Sequence, residues 1–223
     1  MAVTDAAIDK IKGMIVSGEL APGARLPKEA DLAERLGLSR NSLREAVRAL
    51  SLINVLDVRQ GDGTYVTSLE PRLLLDALSF VVDFHRDDTV LEFFQVRRIL
   101  EPAATALAAT AMTPEDIKDL KSILDALPEN PTIEELVAND LEFHQRIAIG
   151  SGNTVLASLV ETLSAPTTRA RIWRGLTQEG ATTKTQEQHL AIYEAIATHQ
   201  PDIARSWATV HISGVEEWLR RAL

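Results

Sequence analysis

Cysteine is absent from this sequence. That excludes a disulfide framework and any thiolate metal site, and it fits a reducing compartment. Aromatic residues amount to only 4%, so a core has to come mainly from Leu, Ile, Val and Ala. The 45% hydrophobic fraction can supply one. No apolar run is long enough to span a bilayer. The opening stretch MAVTDAAIDKIKGMIV carries acidic residues and reads as neither a signal peptide nor a membrane anchor. The expectation is a soluble, cytoplasmic protein with no membrane partner. An excess of positive charge is also missing, since the formal net charge is −9. That total is unevenly spread. Residues 1–69 hold nine Lys/Arg and nine Asp/Glu, so the whole excess falls on the remainder. At 223 residues the chain is long enough for two domains. A neutral first part and an acidic second part suggest different partners for each.

The first part carries the most informative pattern. Leu32, Ala33 and Leu36 share the buried face of a short helix, and Gly37 lets the chain turn out of it. Ser39 can cap the next helix, whose apolar stripe is Leu43, Ala46, Val47 and Leu50. Its other face offers Arg40, Asn41, Ser42, Arg44 and Arg48, all able to donate to phosphates or base edges. Apolar runs at Val55–Val58 and Thr64–Thr67 flank Gln60-Gly61-Asp62-Gly63, a hairpin turn. A helix-turn-helix outline alone is often purely structural. Turn glycine, capping serine, polar helix start and wing in order within about forty residues point to duplex DNA.

Residues 70–223 read as entirely helical. Thr113-Pro114-Glu115-Asp116 and Thr132-Ile133-Glu134-Glu135 are helix starts, Gly150-Ser151-Gly152-Asn153 ends a helix, and Pro201 begins the last one. Pro166 should kink or break the segment from Thr154 to about Arg174. Seven or so helices with short loops suggest an antiparallel bundle. The fold class expected is mainly α: a winged helix-turn-helix with a small β wing over 1–69, then an all-α bundle over 70–223.

Asp140 and His144 stand one turn apart on a helix, separated by about 40° around its axis, so both can reach one ion. With His189 and His211 from two further helices they form a candidate metal set. Asp oxygen with imidazole nitrogen suits Zn²⁺, Ni²⁺ or Mn²⁺. Taken singly, each histidine reads more readily as a hydrogen-bonded core or surface residue. His85, beside Arg86 and Asp87, and His199, before Gln200-Pro201, read as solvated. Arg97 has Glu101 as its i+4 neighbour, so it is either half of a salt bridge or, if its face points inward, a fork for a carboxylate. Asn153 is either an N-cap or a pocket residue.

The first part resembles the GntR family of bacterial transcription regulators. The likeness is carried by Gly18-x-Leu20, Pro22-Gly23, Leu26-Pro27-x-Glu29, Leu32-Ala33, Leu36-Gly37-Leu38-Ser39-Arg40, Leu43-Arg44-Glu45-Ala46 and Gly61-x-Gly63-Thr64-Tyr65-Val66. The second part is similar to the FadR subfamily's helical ligand domain, called FCD. There the matching residues are Val96-Arg97-x-x-Leu100-Glu101, Asp140-x-x-Phe143-His144, Ser151-Gly152-Asn153, His189 and His211. The resemblance implies that Ser39, Arg40, Asn41, Ser42 and Arg44 read the major groove, with Gln60 and Gly61 entering a minor groove. Ala30 departs from relatives that have an arginine there, so that contact would be lost. The subfamily's metal-binding branch would use Asp140, His144, His189 and His211 as ligands and leave room for a carboxylate effector. The branch that binds acyl-CoA lacks this set. Arg97 and Asn153 become candidate effector contacts.

The function expected from all this is a metabolite-responsive DNA-binding regulator, a repressor in the first instance and not an enzyme. It would act as a homodimer on a pseudo-palindromic operator. A small carboxylic or sugar acid, bound with the metal (zinc first), would alter operator binding. Two alternatives stay open: a metal-dependent enzyme, and a constitutive DNA-binding dimer whose metal is purely structural.

Overall fold

In the computed structural model, residues 3–71, 73 and 89–223 are described. The expectations for His85, Arg86 and Asp87 lie outside that range. Two compact units result, Met1–Ala77 and Leu78–Leu223.

The first unit opens with α1 (Val3–Val16), whose Ala7, Ile11 and Met14 are buried at helical spacing. Helices α2 (Glu29–Leu36) and α3 (Arg40–Leu52) meet at Gly37, which adopts φ 62°, ψ 41°. This left-handed residue sends its N–H back to the Ala33 and Glu34 carbonyls, a C-terminal cap that a Cβ would disfavour. Ser39 then caps α3, its Oγ accepting from the Ser42 N–H at 3.0 Å. Leu43, Ala46, Val47 and Leu50 close over Leu32 and Ala33 in the core.

The wing is an antiparallel pair, β1 (Leu56–Arg59) and β2 (Gly63–Val66), in register Leu56↔Val66 through Arg59↔Gly63. The expected strands are thus displaced by one residue. Gly63 belongs to the ladder rather than to the turn, leaving Gln60, Gly61 and Asp62 as the loop. Gly61, at φ 78°, provides the left-handed residue that this loop needs. On its other edge β2 bonds the segment before α2, through Leu26 N–H to Thr64 O and Val66 N–H to Ala24 O. That anchors the wing to the unit's core through Leu26, Leu56 and Val66.

Among the described residues the second unit contains seven α-helices and no strand. They are α4 (Thr89–Ala111), α5 (Pro114–Asp125), α6 (Ile133–Gly150), α7 (Thr154–Ser164), α8 (Thr168–Thr177), α9 (Ala181–Ala197) and α10 (Pro201–Ala222). Capping boxes start α5 at Thr113/Asp116 and α6 at Thr132/Glu135, each satisfying orphan N–H groups at both its positions. The break at Pro166 is a 3-10 turn, Ala165–Thr167, that ends α7 and redirects the chain into α8. Helices α4 and α10 pack along each other most extensively. Leu120, Phe143, Ile192 and Ile196 fill one part of the core, and Phe94, Ile212 and Leu219 another. None of the described helices is long and apolar enough to cross a membrane.

Candidate functional site

On the reader unit, α3 has no acidic residue in its first turn, so the positive end of its dipole and Arg40 stand unneutralised there. Arg40, Asn41, Arg44 and Arg48 are exposed along one side of the helix. Ser42 departs from its expected place. It precedes Ala46 by one turn, so it sits on the edge of the apolar stripe, buried, with its Oγ 2.7 Å from Ser39 Oγ. Ser39 is itself exposed but committed to the cap. Gln60 and Gly61 are exposed at the wing tip. Tyr65 organises that tip: its hydroxyl donates to Asp62 Oδ2 at 2.9 Å, and the Arg59 guanidinium lies 4.2 Å from its ring centre. Arg25 donates to the Asp62 carbonyl and adds a second cation at the same place.

Arg44 donates to Glu29 Oε2 at 3.1 Å across the helix pair. Both side chains are about half exposed (55% and 49%), so the pair orients the guanidinium more than it stabilises the fold. Arg44→Ala is expected to weaken binding to the operator on the order of tenfold and to relax discrimination at one base position. Fluorescence anisotropy with operator and random duplexes checks this. Equal losses on both would mean that Arg44 touches only phosphate.

In the helical unit, Asp140 and His144 from α6, His189 from α9 and His211 from α10 converge. All four are buried, and one ligand atom from each lies within 4.8 Å of the others. Asp140 Oδ1 is 3.2 Å from His189 Nε2 and 3.6 Å from both His144 Nε2 and His211 Nε2. His144 Nε2 and His211 Nε2 face each other across 3.2 Å. Phe143 stacks against His189, centroids 4.4 Å apart, and fixes that ring.

The outward atoms decide what the inward atoms can do. His211 Nδ1 donates to Gln188 Oε1 at 3.0 Å. His144 Nδ1 lies 3.0 Å from Glu101 Oε2, off the ideal line. With the protons held at Nδ1, both rings aim an Nε2 lone pair at the shared centre. His189 Nε2 is buried without an aligned hydrogen bond of its own. Three lone-pair nitrogens and a carboxylate oxygen at 3.2–3.6 Å repel one another unless a cation lies among them. The donor set therefore fits a divalent ion.

Electrostatics agree. Burial alone would raise the Asp140 carboxyl, but the charge on Arg171 and the His144 imidazole outweigh it and hold the acid well below its usual range. Glu101 is likewise held down against burial by Arg97 and His144. Burial lowers His189 below its ordinary value and pushes His211 down to about 3, which keeps both in the neutral, ligating form. Burial opposes charge on His144 as well, yet Glu101 and Asp140 outweigh it and raise that imidazole. A proton and a metal ion would therefore compete for His144.

Next to this cluster is a narrow cavity bordered by Asp140 and His211 and by three arginines, Arg97, Arg171 and Arg174. Arg97 is 2% exposed and resolves both readings of its role. It pairs with Glu101, donates to Thr167 Oγ1 at 3.0 Å, and also forms part of the cavity wall. Thr167 reaches it because the 3-10 turn around Pro166 points its hydroxyl inward. Arg171 donates to Asp140 Oδ2 at 2.5 Å, and burial pushes its guanidinium down to about 10. Asn153 is not brought to the cluster: it is exposed and caps α7, its Oδ1 accepting from the Leu156 N–H at 3.0 Å. His199 ends α9 with a positive φ, exposed but with Nδ1 2.8 Å from the Ala109 carbonyl.

Glu101, Gln188, Arg171 and Arg174 act here without having been picked out as site residues from the sequence. For Glu101 and Gln188 the signal was available. Each occupies a buried position on its helix, as in Ala181, Thr185, Gln188, Ile192 and Ala195 of α9.

A winged helix-turn-helix with its own core, followed by a helical body around a buried polar cluster, defines the class of transcription regulators that carry an effector-binding domain. Residues 3–66 match the family model described as bacterial regulatory proteins, gntR family, and residues 92–214 match the FCD domain. The chain belongs to the GntR family and carries an FCD domain; it is a regulator, not an enzyme. It is 34% identical over 215 residues to the HTH-type transcriptional regulator LutR of Bacillus subtilis (strain 168), covering 92% of this chain and 96% of that one. It is 28% identical over 219 residues to the galactonate operon transcriptional repressor of Escherichia coli (strain K12), covering 94% and 93%. Among solved structures, Streptococcus agalactiae GntR superposes with a TM-score of 0.72 at 27% identity, covering 96% of this chain and 99% of that one.

Proposed function

We propose that this protein is a cytoplasmic, metabolite-responsive repressor that binds a pseudo-palindromic operator as a homodimer. Residues 1–69 read the DNA, and residues 70–223 bind the effector and dimerise. Arg40, Asn41 and Arg44 contact the major groove, and Gln60 and Gly61 the minor groove, with Ser39 and Ser42 setting the start of the recognition helix. Asp140, His144, His189 and His211 hold a divalent metal. Zinc is the first candidate, and nickel or manganese, which favour more ligands, would leave more positions for an effector. When bound, the ion supplies a fixed positive charge able to accept a carboxylate. Arg97 contributes a further positive group to the same wall. The effector class is a small carboxylic or sugar acid; the E. coli relative named for galactonate is consistent with that chemistry.

The observation that carries this reading is the inward-facing Asp/His₃ set beside an arginine-lined cavity. Its test is elemental analysis of the purified protein, followed by thermal-shift screening of small acids on metal-loaded samples. A stoichiometric divalent ion, and acids that raise the melting temperature only when it is present, are expected. A loaded protein that no acid stabilises, with operator affinity unchanged throughout, favours a constitutive dimer with a structural metal.

A further inference from the structure

The cavity beside the metal cluster is lined by two polar groups of residues, and their hydrogen bonds are unequally satisfied. One is Asp140 and His211, with the other two imidazoles around Asp140 Oδ1. The other is Arg171 and Arg174, three residues apart and so on one face of α8. Asp140 joins the two: Oδ1 faces the imidazoles and Oδ2 accepts from Arg171 Nη1.

Arg97 has its donors on Glu101 and Thr167. Arg171 uses only Nη1 on Asp140; its Nη2 is buried with no hydrogen-bond partner, in a residue 7% exposed. Arg174 is 5% exposed, and its Nε donates at 2.7 Å to the neutral oxygen of Gln178. Three buried cations thus face two buried carboxylates, Glu101 and Asp140. The surplus positive charge sits on α8, beside Asp140. A buried guanidinium short of acceptors is a site made for a planar oxyanion.

We infer that the effector is a small dicarboxylate. One of its acid groups meets the Asp140–His144–His189–His211 set, and the second is held by Arg171 Nη2 and Arg174. This inference rests on the acid-effector reading given above. A monoacid would satisfy one set and leave the α8 guanidinium groups uncompensated in a cavity that partly excludes water. A diacid neutralises both sets. Because a single carboxylate, that of Asp140, bridges the two sets, the diacid needs only a short carbon spine. Arg174 is the specificity residue, since Arg171 is also tied to Asp140.

Isothermal titration calorimetry of the full-length, metal-loaded protein with L-malate and L-lactate tests the inference. The two acids share an α-hydroxycarboxylate head and differ by the second carboxylate. Malate should bind at least about 30-fold more tightly than lactate. Arg174→Gln should weaken malate at least about tenfold while lactate stays within about threefold, with metal content unchanged by elemental analysis. Equal wild-type affinities for the two acids overturn the two-headed effector and leave the acid-effector reading standing. So does an equal loss for both acids in the variant. Binding of neither acid to loaded wild-type protein overturns the dicarboxylate inference; the acid-effector reading falls with it only if the wider acid screen also finds no ligand.

Discussion

Asp140→Ala is expected to lower the melting temperature of the helical unit by on the order of 10 °C, even in the presence of a chelator. The reason is not the metal. Asp140 is the hydrogen-bonded carboxylate of Arg171, and both side chains are 7–8% exposed. Removing one member of a buried pair strands the other charge, which costs about 3–5 kcal/mol. At about 2–4 °C per kcal/mol for a unit of this size, the shift follows. In metal-loaded protein the wild type should gain further stability from the bound ion, and the variant should not. His211→Ala provides the contrast. It removes a ligand whose ring burial keeps neutral, so with chelator present its melting temperature should fall far less. Scanning calorimetry reads the two units separately; only the helical transition should move. If chelated Asp140→Ala melts with the chelated wild type, Arg171 does not depend on this carboxylate.

The same residues show how much of the site could be read from the chain. Asp140 and His144 were legible because helical spacing of four fixes two side chains on one face regardless of tertiary detail. His189 and His211 come from α9 and α10, so their convergence with α6 is a long-range outcome that no local period encodes. The reader unit was more legible still. Gly37, the Ser39 cap and the apolar stripe of α3 depend on interactions within a few residues, and they stand where local chemistry puts them. The wing slipped by one residue because Gly63 suits either a turn or the close approach of Arg25, whose Nε would lie 2.6 Å from a Cβ there. Ser42 was misplaced on the helix face because a hydroxyl at a stripe edge resembles a DNA donor until its Ser39 partner is visible. Asn153 had two local readings, and the structure gives it the capping one. Arg171 and Arg174 stayed hidden because α8 follows the Pro166 break, where the phase of the buried face restarts.

Stripping the metal with a chelator is expected to raise the acid concentration needed to release operator by about 100-fold or more, while operator affinity without acid changes little. An effector can move an equilibrium only by the difference in its affinity for the two states. Losing the strongest contact, that between carboxylate and cation, removes most of that difference. The recognition helix keeps its shape because α1, α2, α3 and the wing share a core of their own, built on Ile11, Leu32, Leu43 and Val66. The Asp140–Arg171 pair survives chelation, so the helical unit should remain folded. Arg97→Ala should act in the same direction but more weakly, because Arg171 and Arg174 remain on the cavity wall. Some of that variant's effect will come from leaving Glu101 without one of its two partners. Operator titrations followed by anisotropy, run with and without chelator and across acid concentration, give both numbers. A stripped protein that releases operator at the original acid concentration would show that the ion only braces α6, α9 and α10, and that the acid binds somewhere else.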